Sequence, residues 1–255
     1  MLFKPENYLE LEAELNGEFL HAGGPHATKL LLEELAKRPA ETVLEIGCGT
    51  GATLAKLRGR FKGAVFAVDL SQRMLRRAAG KIRGEAGVHL VRADAGGGAL
   101  PFRPETFDII IAESVAGVLS FSFWLPAWIR LLRPKGTLAL NDGLWKQGTP
   151  LSVVRTLTGH CVKAFGHPLA PATGHTVEDW KRMMASAGLI DITTFAATKG
   201  DAVLGRDGRM RWQRWRSKCL HPHLWPAILR YRPAMKVAAE AGRHLEYWIL
   251  LGQKG

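Results

Sequence analysis

Cysteine is scarce in this chain: three among 255 residues, Cys48, Cys161 and Cys219, without the paired spacing that holds zinc. They read as reduced thiols. Long apolar runs are missing too; no stretch of about eighteen uncharged apolar residues predicts a membrane-spanning helix. The amino terminus, Met1 to Glu18, is acidic and periodic, without the basic-then-apolar order of a secretory leader. These absences predict a cytoplasmic protein. Internal repeats and low-complexity tracts are also lacking. Acidic residues are outnumbered, 23 against 35 Lys and Arg, for a net charge of +12. The excess is concentrated, with eleven Lys or Arg and four Asp or Glu between Asp201 and Gly255. Such a tail attracts a phosphate- or carboxylate-bearing substrate, an acidic membrane surface or nucleic acid, or else forms a solvated basic face. An apolar content of 47% is enough for one α/β domain with a real core.

What is present most conspicuously is Val43-Leu44-Glu45-Ile46-Gly47-Cys48-Gly49-Thr50-Gly51. It reads as a buried strand ending near an acid, then a glycine turn into a helix that starts near Gly51. Glycines let the backbone turn tightly and leave room for a ligand against it. Two chemistries fit. Gly47, Gly49 and Ala52 satisfy the dinucleotide pattern G-x-G-x-x-[GA], and Asp69 stands close to the spacing of a ribose-binding carboxylate, as in a nicotinamide enzyme. Glu45 separates the two, because a carboxylate before the turn repels a pyrophosphate and attracts a cation. Ala64 to Asp69 reads as a second strand, whose terminal acid can accept from both ribose hydroxyls. His89 to Ala95 reads as a third, and Phe107 to Glu113 as a fourth.

Glu45 to Gly51 resembles the first motif of class I S-adenosylmethionine-dependent methyltransferases, [DE]-x-G-x-G-x-G. Asp69-Leu70-Ser71-Gln72-Arg73-Met74-Leu75 resembles that family's D-x-S-x-x-M-L, with Ser71 as a helix cap. Leu131-Leu132-Arg133-Pro134-Lys135-Gly136 resembles its L-[RK]-P-G-G turn into strand five, with Lys135 in place of one glycine and Gly136 expected to keep the positive φ. The likeness covers roughly residues 20 to 200 plus a final strand, and is to the small-molecule, UbiE-like type 11 branch. It implies an α/β fold: a Rossmann-like doubly wound seven-stranded sheet, strand seven antiparallel between five and six. N-terminal helices and a helical cap inserted between strands six and seven complete it. It implies S-adenosylmethionine as methyl donor, with S-adenosylhomocysteine as product and no metal. The resemblance assigns cofactor contacts to Gly24, Glu45, Gly47, Cys48, Gly49, Thr50, Gly51, Asp69, Leu70, Met74, Asp94, Ala95, Ala112 and Glu113. Met74 would pack near the adenine and Asp94 would accept from its amino group. Gly24 lies in a His-x-Gly-Gly segment similar to one that closes over the methionine end in many small-molecule methyltransferases. A Rossmann-like domain that binds the cofactor without turnover remains an alternative. So does arsenite methylation, which uses several cysteines, although Cys48 belongs to the turn and leaves only two.

The whole chain, 1–255, reads as one domain: N-terminal helices over 1–38, a cofactor-binding half over 40–142 and a substrate-side half over 143–255. Leu9, Leu11, Leu15, Phe19 and Leu20 give the first helix its stripe, and Gly24-Pro25 starts the second. Thr42 to Leu140 alternates strand and helix, as a parallel sheet with right-handed crossovers requires. Trp145 to Thr176 reads as irregular. Thr176 opens a helix ending at Gly188, and Leu189–Thr198 and Leu245–Leu251 read as strands six and seven. The connection over about 199–243 is too long to lack structure. It predicts a helix from about Trp225 to Arg230 and another beginning at Pro233, covering the mouth of the site.

Methyl transfer needs a nucleophile aligned with the methyl group, and sometimes a base. Glu113 is the catalytic candidate by topology. Asp142, His160, His167 and His175 are further candidate bases, whereas His21 and His26 read as surface residues. Ala112-Glu113-Ser114-Val115 stands where an Asn-Pro-Pro-Tyr or Asp-Pro-Pro-Tyr run would mark amino-methylation of DNA bases or of protein glutamine. DNA is therefore not expected, and a small-molecule acceptor, lipophilic or anionic, is. The alternative is an RNA or protein methyltransferase docking through its basic tail. Trp212 and Trp215, set among Arg209, Arg211, Arg214 and Arg216, fit an amphipathic helix on an anionic membrane, base stacking, or simple packing of the cap.

Overall fold

The computed structural model describes residues 8–15, 18, 21, 23–97, 100–119, 121–173, 175–197 and 221–255. Two N-terminal helices, α1 (Tyr8–Glu14) and α2 (Gly24–Leu35), precede β1 (Thr42–Ile46), α3 (Ala52–Arg58), β2 (Ala64–Asp69), α4 (Gln72–Lys81) and β3 (Val88–Arg92). Then come β4 (Phe107–Glu113), α5 (Phe121–Leu131), β5 (Leu132–Trp145), α6 (Leu151–Phe165), α7 (Val177–Ser186), β6 (Leu189–Ala196), α8 (Trp225–Gly242) and β7 (Leu245–Lys254). The sheet runs β3-β2-β1-β4-β5-β7-β6. Strands β1 to β5 pair in parallel, and β7 is antiparallel to both β5 and β6, as the resemblance implied. The order reverses between β1 and β4, so a crevice opens at their carboxyl ends.

Both sheet faces are covered, which explains why the central strands are apolar runs rather than alternating ones. On one face Leu31, Leu35, Leu54, Leu57 and Ala78 from α2, α3 and α4 pack on Val43, Val65 and Ile109. On the other, Trp124 and Trp128 of α5 and Trp180 of α7 pack on Leu44, Ile110 and Leu138. The local punctuation is also physical. Ser71 Oγ accepts from Met74 N at 3.3 Å at the start of α4, and Thr176 forms a reciprocal capping box with Asp179 at the start of α7.

Three expectations are corrected. The Trp145–Thr176 stretch contains α6, whose Val154, Leu157, Cys161 and Phe165 make a buried stripe. A single helix, α8, runs straight through Pro233 instead of two helices meeting there. The positive φ of the turn into β5 sits on Lys135, at 64°, not on Gly136. Gly136 is required by space instead: a Cβ there would lie 2.9 Å from Arg133 O and 3.1 Å from Phe107 O. Helix α5, with Pro126 inside it, fills the strand–helix alternation expected over Thr42 to Leu140. Trp212, Trp215, their neighbouring arginines and Cys219 lie outside the described residues, as do residues 199–220 of the expected insertion.

Candidate active site

A cavity of about 760 Å³ lies at the crevice. Its floor is the glycine turn. Gly47 N and Cys48 N both donate to Val68 O, at 2.7 and 3.1 Å, and Gly51 N donates to Cys48 O at 2.9 Å. The three glycines answer three different demands. A Cβ at Gly47 would lie 2.3 Å from Val115 Cγ2, and one at Gly51 would lie 2.9 Å from Ala78 on α4. A Cβ at Gly49, where φ is 52°, would meet nothing within 4 Å. That position faces the cavity, and only there does the missing side chain leave room for a ligand.

Asp69 is pre-oriented beside this turn: its Oδ2 accepts from Gly49 N at 2.9 Å and its Oδ1 from Ser71 N at 2.8 Å. Burial raises its pKa, although those two N–H groups act in the opposite direction. Each oxygen retains a lone pair for ribose hydroxyls. Leu70, 61% exposed, and the buried Met74 supply apolar surface to the same wall. Asp94 and Ala95 follow β3 and line it further; Asp94 Oδ1 accepts from Gly96 N at 2.9 Å.

Glu45 is the most unusual of these residues. It is 4% exposed, and its Oε2 has no hydrogen-bond partner among the described residues. Burial pushes its pKa well above the usual value, and the Glu113 and Asp69 carboxylates push it further. An orphaned buried carboxylate oxygen is costly unless something cationic meets it. The ammonium of a methionine moiety suits it; a pyrophosphate does not. Cys48 also lines the cavity, and burial, then Glu45 and Asp69, raise its thiol pKa, so it stays protonated. Thr50 lines the cavity too, its hydroxyl accepting from Lys81 Nζ at 3.2 Å.

Glu113, the catalytic candidate, is 9% exposed and already engaged. Thr53 Oγ1 donates to its Oε1 at 2.8 Å, and Asn141 Nδ2 and Thr28 Oγ1 donate to its Oε2 at 2.9 and 3.1 Å. His21 Nδ1 lies 3.4 Å from the same oxygen, and its Nε2 lies 3.0 Å from Thr28 Oγ1. The carboxylate thus ties α2 and the segment before it to β4 and β5, which suits a positioning role better than a free base. His21, expected at the surface, lines the cavity with only 9% of its side chain exposed. Its signal was the His-x-Gly-Gly segment. Thr28, Thr53 and Asn141 carried no such signal, because only the tertiary fold gathers them.

Three assigned contacts are not among the residues that line the cavity. Gly23 lines the cavity where Gly24 was expected, and neither Gly51 nor Ala112 is among its lining residues. Of the other candidate bases, Asp142 is 2% exposed and accepts from Gly117 N at 3.1 Å, outside the cavity wall. Burial pushes its pKa up to about 7. His160 is exposed on α6, and neither it nor His175 lines the cavity. His167 does. Among the described residues, no group of three His, Cys, Asp or Glu is placed to hold a metal ion, and no helix is long and apolar enough to cross a membrane.

Comparison with known proteins points the same way. A family model described as a methyltransferase domain matches residues 43–136. The chain is 32% identical over 143 residues to the uncharacterized methyltransferase YodH of Bacillus subtilis, covering 56% of this chain and 60% of that one. It is 28% identical over 216 residues to the ubiquinone/menaquinone biosynthesis C-methyltransferase UbiE of Vibrio vulnificus, covering 73% and 79%. In fold it is similar to the crystal structure of a putative sarcosine dimethylglycine methyltransferase from Galdieria sulphuraria, at 15% identity and a TM-score of 0.70, covering 89% of this chain and 85% of that one. Residues 43–136 thus match a methyltransferase domain, and the acid-flanked glycine turn and the β5-β7-β6 edge resemble those of the class I S-adenosylmethionine-dependent methyltransferases.

Proposed function

We propose that this chain moves a methyl group from S-adenosylmethionine to a small-molecule acceptor. The observation that carries the reading is Glu45 Oε2, buried in the cavity wall without a partner. The cofactor supplies an electrophilic methyl group on a sulfonium, so the protein's work is to bind, align and exclude water. In this reading Glu45 meets the positive charge of the methionine moiety, Asp69 holds the ribose hydroxyls, and Leu70 and Met74 flank the base. Asp94 accepts from the adenine amino group. Glu113 keeps His21 and Thr28 in place over the methionine end.

Isothermal titration tests this. S-adenosylhomocysteine should bind and the nicotinamide dinucleotides should not; binding of only the latter would overturn the reading. The basic charge between Asp201 and Gly255 supports a second one, an RNA acceptor docking on that tail. Acceptor affinity would then fall steeply between about 50 and 200 mM salt, whereas an uncharged small acceptor would bind equally well at both.

A further inference from the structure

Among the described residues that line the cavity, two carry buried polar atoms without a hydrogen-bond partner: Glu45 Oε2 and His167 Nε2. The first is absorbed by the proposed cofactor. The second stands elsewhere. In the strand order β3-β2-β1-β4-β5-β7-β6, the residues proposed to hold adenosine follow β2 and β3, on one side of β4. His167 belongs to the other side, with Gly143 on β5, Leu169, Ala238 on α8 and Tyr247 on β7. These form one wall: a Cβ on Gly143 would lie 3.3 Å from the Tyr247 ring and 3.7 Å from Leu169 O.

The ring's hydrogen bonding decides what His167 can do. Nδ1 lies 2.8 Å from Pro168 O. A carbonyl only accepts, so Nδ1 carries the proton and Nε2 of the neutral ring is a bare lone pair. Gly166, with φ of 86°, ends α6 just before it and sets the loop that makes this contact. A lone pair shut away from water calls for a donor. Among the described residues, the loop after α6, β5, α8 and β7 contribute no Lys, Arg, Asp or Glu to this part of the lining. Tyr247 is the other polar side chain that these elements bring to the wall, and burial raises its pKa, which keeps the phenol neutral.

We propose that His167 is the residue that recognises the methyl acceptor, and that the acceptor is a hydroxyl-bearing molecule of otherwise apolar surface. Nε2 accepts the hydrogen bond of the acceptor O–H. As the oxygen bonds to the methyl carbon, the O–H proton passes to Nε2, and the C–S bond breaks with its electron pair left on sulfur. His167 returns the proton to water after the ether leaves. The inference rests on the methyltransferase reading.

The test is ligand-observed NMR on protein loaded with S-adenosylhomocysteine, using millimolar fragments: phenols with their matched methyl ethers, primary amines, carboxylates and phosphate monoesters. Phenols should bind about tenfold more tightly than their ethers, the worth of one good hydrogen bond. His167→Ala should remove that preference while leaving S-adenosylhomocysteine affinity unchanged. His167→Gln, whose amide oxygen can still accept, should retain the preference, and it decides the matter if the alanine variant does not fold. Equal binding of phenols and ethers by wild type, phenol preference surviving in His167→Ala or lost in His167→Gln, or no phenol binding at all would overturn the proposal. So would His167-dependent binding of amines or phosphates instead. Failure of wild type to take S-adenosylhomocysteine would instead sink the methyltransferase reading itself.

Discussion

At the scale of single residues, buried carboxylates set the expectations. Glu45→Gln keeps the shape and removes the charge. It should weaken S-adenosylhomocysteine roughly ten- to hundredfold by calorimetry, the worth of a charged hydrogen bond. Because the Glu45 pKa is raised by burial and then by Glu113 and Asp69, wild-type affinity for the cationic cofactor should climb with pH above the ordinary carboxylate range. The Gln variant should show a flatter profile. Gly49→Val should abolish binding, since a branched side chain would fill the space the cofactor needs at a φ of 52°. Asp142 affects stability rather than binding. Its pKa is pushed from 3.8 up to about 7, so the folded state holds the proton more tightly than the unfolded chain. That contribution is fully present below the unfolded value and is lost as pH rises through about 7. At most about 4 kcal/mol is involved, and the melting temperature should fall as pH rises from about 4 to about 7, with a shallower fall in Asp142→Asn.

At the scale of elements, α1 is held to α4 by charge and to the start of α8 by apolar contact. Arg73 and Arg77 reach Glu14 at 2.7 and 3.2 Å, and Arg73 lies 3.7 Å from Glu10. Leu11 and Leu15 pack with Leu224, just before α8. These ion pairs are partly exposed and worth at most ~1 kcal/mol. Glu14→Gln should therefore speed amide exchange in Tyr8–Glu14 only a few fold, and the difference from wild type should fade at high salt. Sites near the chemistry should be unaffected; equal acceleration along β1 would mean that α1 is not a separate unit. Elements also show where pattern reading failed. Pro126 and Pro233 argue against helix interiors, since each removes a backbone donor at a cost of ~3 kcal/mol. Helix α5 nonetheless continues because it buries Trp124 and Trp128 completely, and α8 because Ala234, Ala238 and Ala241 pack against the wall of α6. Packing outweighed propensity.

At the scale of the whole molecule, the tryptophans joining α5 and α7 to the sheet hold one face together. Trp124 and Trp128 have ring centroids 4.4 Å apart, and Trp128 Nε1 donates to Ala95 O at 3.3 Å, beside the cavity. Trp128→Ala should cost ~3–5 kcal/mol in urea unfolding and should loosen the Asp94–Ala95 wall, lowering cofactor affinity as well. A stability loss with unchanged affinity would show that this wall is held from elsewhere.

The sequence by itself determined the order of the strands, the glycine turn, Glu45 and Asp69. All of these lie within short stretches where periodicity, a cap or a glycine has a local cause. It could not show that Lys135 rather than Gly136 takes the left-handed φ, nor that Gly23 rather than Gly24 reaches the cavity, because single-residue register depends on neighbouring strands. Nor could it bring His21, Thr28, Thr53 and Asn141 onto Glu113, or leave His167 Nε2 without a partner. Those groupings join residues up to 120 positions apart, and only the closure of the sheet and its helices decides which polar atoms meet and which are left for a ligand.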